Sequence, residues 1–102
     1  MSDWIEVANI NDLAIGSMKK CDINGQAIVL INLDGEFYAI EDRCSHDSGI
    51  LSNGDIEGDQ IICPRHGAAF CIKTGEVMCP PAYEDILTFP VRVVGDVVQV
   101  KL

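Results

Sequence analysis

Short apolar runs, many of them rich in β-branched residues, recur along most of this chain and are broken by pairs such as Asn-Gly, Asp-Gly and Gly-Asp. Runs of that length and make-up predict strands. They fall at Trp4 to Val7, Met18 to Ile23, Gln26 to Leu33, Glu36 to Ile40, Gln60 to Cys63, Ala69 to Ile72, Glu76 to Met78, Leu87 to Val94 and Val97 to Leu102. The pairs Asn24-Gly25, Asp34-Gly35, Thr74-Gly75 and Gly95-Asp96 read as hairpin turns, because Gly, Asn and Asp tolerate the positive φ that tight hairpins need. Pro90 lies inside the Leu87 to Val94 run and has no N–H to give a ladder, so that stretch is expected at an edge or a bulge. The pattern predicts an all-β fold of sandwich or barrel type. Its rhythm fails in two places, Asp42 to Asp59 and Cys63 to Ala68, which read as loops flanking the short run Gln60 to Ile62.

Length and composition narrow this further. A chain of 102 residues with 48% hydrophobic content supports one compact domain, expected over residues 1–102, and a domain that small gains from a metal staple. No run of 18 apolar residues exists, and Met1-Ser2-Asp3-Trp4-Ile5-Glu6 lacks the basic and apolar stretches of a signal peptide. The expectation is a soluble, cytoplasmic protein with no membrane partner. Five cysteines, an odd number, fit a reducing compartment better than a disulfide framework. With 16 Asp and Glu against 7 Lys and Arg the net charge is −9, which argues against nucleic acid, whose phosphates are bound by cations. The same excess favours basic partners, or simply keeps a small protein in solution.

The two irregular stretches hold the candidate chemistry: Cys44-Ser45-His46 and, after a gap of sixteen residues, Cys63-Pro64-Arg65-His66. Two thiols and two imidazoles on two loops are a metal-binding set. They satisfy tetrahedral zinc, which would make the chain a zinc-binding interaction module. They equally satisfy a 2Fe-2S cluster with thiolates on one iron and imidazoles on the other. Zinc ribbons usually pair ligands of one type, whereas each loop here offers one Cys and one His in the same order, which favours the cluster. Cys21, Cys71 and Cys79 are read as small apolar residues, and Trp4 as an N-terminal core anchor. Asp47, Asp55, Glu57 and Asp59 form either a solvated loop or an acidic rim that steers partners.

Arg43-Cys44-Ser45-His46 and Cys63-Pro64-Arg65-His66-Gly67-Ala68-Ala69-Phe70 resemble the two cluster-binding boxes of Rieske-type 2Fe-2S ferredoxins. The resemblance extends to the hairpin from Asn24-Gly25 to Ile40, to Lys73-Thr74-Gly75-Glu76, and to Pro80-Pro81-Ala82-Tyr83 with Phe89-Pro90-Val91. It implies a small antiparallel β sandwich or barrel with a cluster-binding subdomain formed by two loops. One 2Fe-2S cluster would be held by Cys44 and Cys63 on the inner iron and by His46 and His66 on the outer one. Pro80-Pro81-Ala82 resembles the third loop that covers the cluster, although Cys79 stands where relatives often have Gly.

The resemblance also implies a role: a one-electron carrier, not itself an enzyme, linking an NAD(P)H-dependent flavoprotein reductase to a terminal aromatic-ring-hydroxylating oxygenase. Contacts would be transient and charge-steered, and the carrier a monomer. The small Rieske subunit of a nitrite reductase, or a carrier in another pathway, is the alternative. Gly49 and Arg65 stand where Rieske proteins of membrane complexes have an extra pair of cysteines, and Ala68 and Phe70 where those relatives place hydroxyl donors. Fewer hydrogen bonds to the cluster imply a potential at the low end of the Rieske range, about −150 to +300 mV.

Overall fold

The computed structural model describes residues 4–45, 49–64 and 67–102. Eleven strands are present among them: β1 (Trp4–Asn9), β2 (Met18–Ile23), β3 (Gln26–Leu33), β4 (Glu36–Glu41), β5 (Asp55–Glu57), β6 (Gln60–Ile62), β7 (Ala69–Cys71), β8 (Val77–Cys79), β9 (Thr88–Phe89), β10 (Val91–Val94) and β11 (Val97–Lys101). All pairings are antiparallel, in three sheets ordered β1-β11-β10, β2-β3-β4-β9 and β5-β6-β7-β8.

β3 organises the molecule because both of its faces are covered. Ile28 and Leu30 pack with Leu13, Ile23, Ala39, Val98 and Val100, which joins the central sheet to the sheet formed by the two chain ends. Val29, Ile31 and Leu33 pack with Ile40, Leu51, Ile61, Phe70 and Ile72, which joins it to the β5–β8 sheet. The unbroken apolar run Ala27 to Ile31 is what a strand with two buried faces requires. Asn32 ends that run and is buried, yet its side chain is satisfied: Nδ2 donates to the Leu13 carbonyl at 2.8 Å, and Oδ1 accepts from Gly35 N–H at 2.9 Å.

Hairpin chemistry behaves as expected at two turns. Asn24-Gly25 (φ 53° and 85°) joins β2 to β3 and Asp34-Gly35 (φ 54° and 95°) joins β3 to β4, both with the paired positive φ of a type I′ turn. Gly95-Asp96 also connects adjacent strands, β10 and β11. Thr74-Gly75 departs from the expectation. The connection from β7 to β8 spans 72–76 and is closed by Cys71 N–H on the Glu76 carbonyl (2.8 Å) and Gly75 N–H on the Cys71 carbonyl (2.7 Å).

Two other differences have clear causes. The run from Leu87 to Val94 is not one strand: it breaks at Pro90, so that Phe89 pairs with Ala39 of β4 while Val91 pairs with Val100 of β11. The stretch Asp42 to Asp59, read as loop, contains β5, which turns through Gly58 (φ 61°) to pair with β6. Its acidic residues hid a strand whose one apolar side chain, Ile56, packs on the core. Trp4 anchors no core either; it is half-buried, with the Arg92 guanidinium 4.3 Å from its ring centroid.

Candidate metal centre

Two loops closed in the same way carry the candidate cysteines. In the first, Cys44 N–H donates to the Gly49 carbonyl at 2.8 Å, and in the second Cys63 N–H donates to the Ala68 carbonyl at 2.7 Å. Each bond spans five residues and sets a cysteine at the foot of its loop. Gly67, at φ 78°, makes the sharp return of the second loop and donates to the Cys63 carbonyl at 3.1 Å. His46 and His66 belong to these loops by sequence and lie outside the described residues, as do Asp47 and Arg65.

Burial separates the five cysteines. Cys44 is 1% exposed and Cys63 2%, and both belong to one apolar cluster with Ala68, Leu51, Phe70 and Ala82. Cys21 and Cys71 are half-buried and Cys79 is exposed, so the expectation of small buried residues fails for Cys79. Burial raises the Cys21 thiol pKa above its ordinary value, with Lys19 opposing in part.

The two loops are brought together by the backbone between them. The turn Leu51–Asn53 places Leu51 fully in the core, and the following Gly54 lies directly against the carbonyl of Ile62, the residue before Cys63. A Cβ at Gly54 would overlap that carbonyl, so close approach, not positive φ, requires glycine there. Behind this turn the buried Asp42 carboxylate accepts from Ser52 N–H and from Ser52 Oγ–H, each at 2.7 Å.

The segment resembling a third loop is tied to the first. Ser45 Oγ donates to the Glu84 carbonyl at 2.6 Å. Further bonds fix the same segment from below: Val77 N–H to Asp85 Oδ1 (2.9 Å), Ile86 N–H to the Gly75 carbonyl (2.9 Å) and Leu87 N–H to Glu41 Oε1 (3.1 Å). The Pro80-Pro81 peptide is cis, and Ala82 is buried in the cluster that holds Cys44 and Cys63. Tyr83 and Ile50 stand exposed beside the two tied segments, and Asp55, Glu57 and Asp59 are all exposed. A shallow groove of about 540 Å³ involves Phe37, Val91 and Arg92 and touches neither loop.

Sequence reasoning had no hold on Asp42, Gly54 or Ser45 as supports of the site. Asp42 and Ser45 are polar residues beside a motif, and only the fold reveals the partners Ser52 and Glu84. Gly54 follows an Asn and looks like an ordinary turn residue.

Two loops closed alike, each with a buried cysteine at its foot and a histidine following in sequence, are the arrangement a small metal-centre protein would need. The donor set is soft on the cysteine side and borderline on the histidine side, which fits an iron–sulfur cluster of mixed ligation. Residues 3–90 match the Rieske [2Fe-2S] domain, and the chain belongs to that family, whose domain binds one 2Fe-2S cluster. The chain is 35% identical over 100 residues to the ferredoxin component of the naphthalene 1,2-dioxygenase/salicylate 5-hydroxylase systems of Ralstonia sp., spanning 98% of this chain and 96% of that protein. It is 42% identical over 94 residues to the 3-phenylpropionate/cinnamic acid dioxygenase ferredoxin subunit of Shigella boydii serotype 4, 91% of this chain and 88% of that protein. A chain in the complex of reduced oxygenase and oxidized ferredoxin in carbazole 1,9a-dioxygenase superposes with a TM-score of 0.92 at 32% identity, covering 96% of this chain and 92% of that one. Among the described residues no helix is long and apolar enough to cross a membrane.

Proposed function

We propose that this protein is a one-electron carrier that takes electrons from an NAD(P)H-dependent flavoprotein reductase and delivers them to a terminal aromatic-ring-hydroxylating oxygenase. The observation that carries the reading is the pair of matched loops with Cys44 and Cys63 buried at their feet, in a chain that aligns almost end to end with ferredoxin components of dioxygenase systems. Residues 1–102 act as a single Rieske unit. Cys44 and Cys63 hold the inner iron, and His46 and His66 the outer.

The cluster, when bound, supplies a site that accepts and releases one electron; with two thiolates in place of four it carries less negative charge than a plant-type ferredoxin centre and is easier to reduce. The chain's own residues do the rest. Leu51, Phe70 and Ala82 keep water from the cysteine side. Ser45 gives its hydroxyl to Glu84, and buried Ala68 and Phe70 carry no hydroxyl to offer the centre, which supports a potential low in the Rieske range. The apolar Tyr83 and Ile50 give partners a small contact surface, while the acidic Asp55, Glu57 and Asp59 speed encounter with basic patches. The carrier works as a cytoplasmic monomer that presents one face to each partner in turn.

The test is to purify the protein anaerobically, determine iron, sulfide and zinc, and record EPR after dithionite reduction. The expected result is two irons and two sulfides per chain, with an average g below that of all-thiolate 2Fe-2S centres. A colourless zinc protein overturns the reading. Reductase-dependent reduction that falls steeply with salt checks the charge-steered docking.

A further inference from the structure

Among the described residues Asp42 is the one buried charged side chain, at 6% exposure, and it stands two residues before Cys44. Burying a carboxylate is costly unless it is fully bonded. Here both oxygens are used, and both bonds go to one residue: Oδ1 accepts Ser52 N–H and Oδ2 accepts Ser52 Oγ–H, each at 2.7 Å. The pair closes the span 42–52 around the inner closure made by Cys44 N–H and the Gly49 carbonyl. Ser52 sits in the turn Leu51–Asn53, and the next residue, Gly54, lies on the carbonyl that precedes Cys63. One side chain therefore links the foot of the first loop to the foot of the second.

Resting on the cluster reading above, we propose that Asp42 is a positioning residue: through Ser52 it locks the spacing of the two cysteine loops. The role follows from the contacts, which hold the foot of the first loop to the turn that meets the residue before Cys63.

Two variants of the cluster-loaded protein test the clamp. Asp42→Asn keeps it, because its amide oxygen accepts the Ser52 N–H and its amide N–H donates to the Ser52 hydroxyl, and iron content, EPR line shape and iron release to a chelator are expected to stay at wild type. Ser52→Ala removes one bond and is expected to release iron about tenfold faster. Wild-type iron release in Ser52→Ala overturns the clamp, and so does fast release in Asp42→Asn. A wild-type protein that itself holds zinc and no sulfide fails the cluster reading instead, so the two failures are told apart before any variant is made.

Discussion

The central sheet and the loop-bearing sheet are held in different ways. β3 runs for eight residues and β2 and β4 for six each, with Ile28, Val29, Leu30, Ile31 and Ile40 essentially without solvent contact. β5, β6, β7 and β8 are three residues each. Their sheet contributes Ile61, Phe70 and Ile72 to the core, but the loops above it are held by individual hydrogen bonds: the backbone closures at Cys44 and Cys63, the two of Asp42 with Ser52, and those of Ser45 with Glu84 and Asp85 with Val77. Apolar burial is non-directional and tolerates small displacements, whereas the loop bonds fix positions to tenths of an ångström at little net stability. A redox centre needs the second kind of support, and the first kind supplies the platform for it.

The largest test of this division is removal of the centre. Cys63→Ala is expected to abolish cluster binding, and hydrogen exchange should then show the amides of the two loops losing protection while those of β3 stay slow. Equal loss in β3 would mean that the two regions do not fold as separate units. Next in size, Ile31→Ala deletes a side chain from the core that joins the sheets and is expected to cost about 2–5 kcal/mol in urea titration. Gly54→Ala pushes a methyl into the Ile62 carbonyl; a loss of about 1–3 kcal/mol and poor cluster retention are expected, and wild-type iron content would show that the loops tolerate separation. Ser45→Ala frees the third segment from the first loop for about 1 kcal/mol or less, detected as faster exchange near Glu84 with β3 unchanged. The smallest effect is chemical. Cys79 should be alkylated first, and Cys21 only as pH rises past the ordinary thiol range, because its burial holds the proton on; mass spectrometry of a pH series reads the order.

Much of the strand plan was legible because it rests on local chemistry. Met18–Ile23 and Gln26–Leu33 have the bounds that periodicity and the Asn24-Gly25 and Asp34-Gly35 turns predict. β5 was missed because acidic residues at Asp55 and Glu57 dilute the strand signal, and its existence depends on a partner, β6, that only the fold supplies. Pro90 signalled a disturbance without showing that the chain changes sheets there. At the site, ligand types and spacing were readable, since metal chemistry restricts them. The supporting contacts were not, because Asp42 with Ser52 and Gly54 with Ile62 are relations between residues, and neither partner announces the other.

One consequence of β3 concerns how its alignment is chosen. Sliding this strand by one residue against its neighbours would exchange one apolar face for the other, Ile28 and Leu30 for Val29 and Ile31, so the usual penalty of exposing a greasy face is nearly absent. Hydrophobicity is close to indifferent between the two alignments. The choice passes to a few polar and conformational signals: the left-handed pairs at Asn24-Gly25 and Asp34-Gly35, which count off residues at each end, and Asn32, whose amide meets both Leu13 and Gly35 in the observed alignment. Two turns and one asparagine serve as the address label for a strand whose bulk could be delivered to either side.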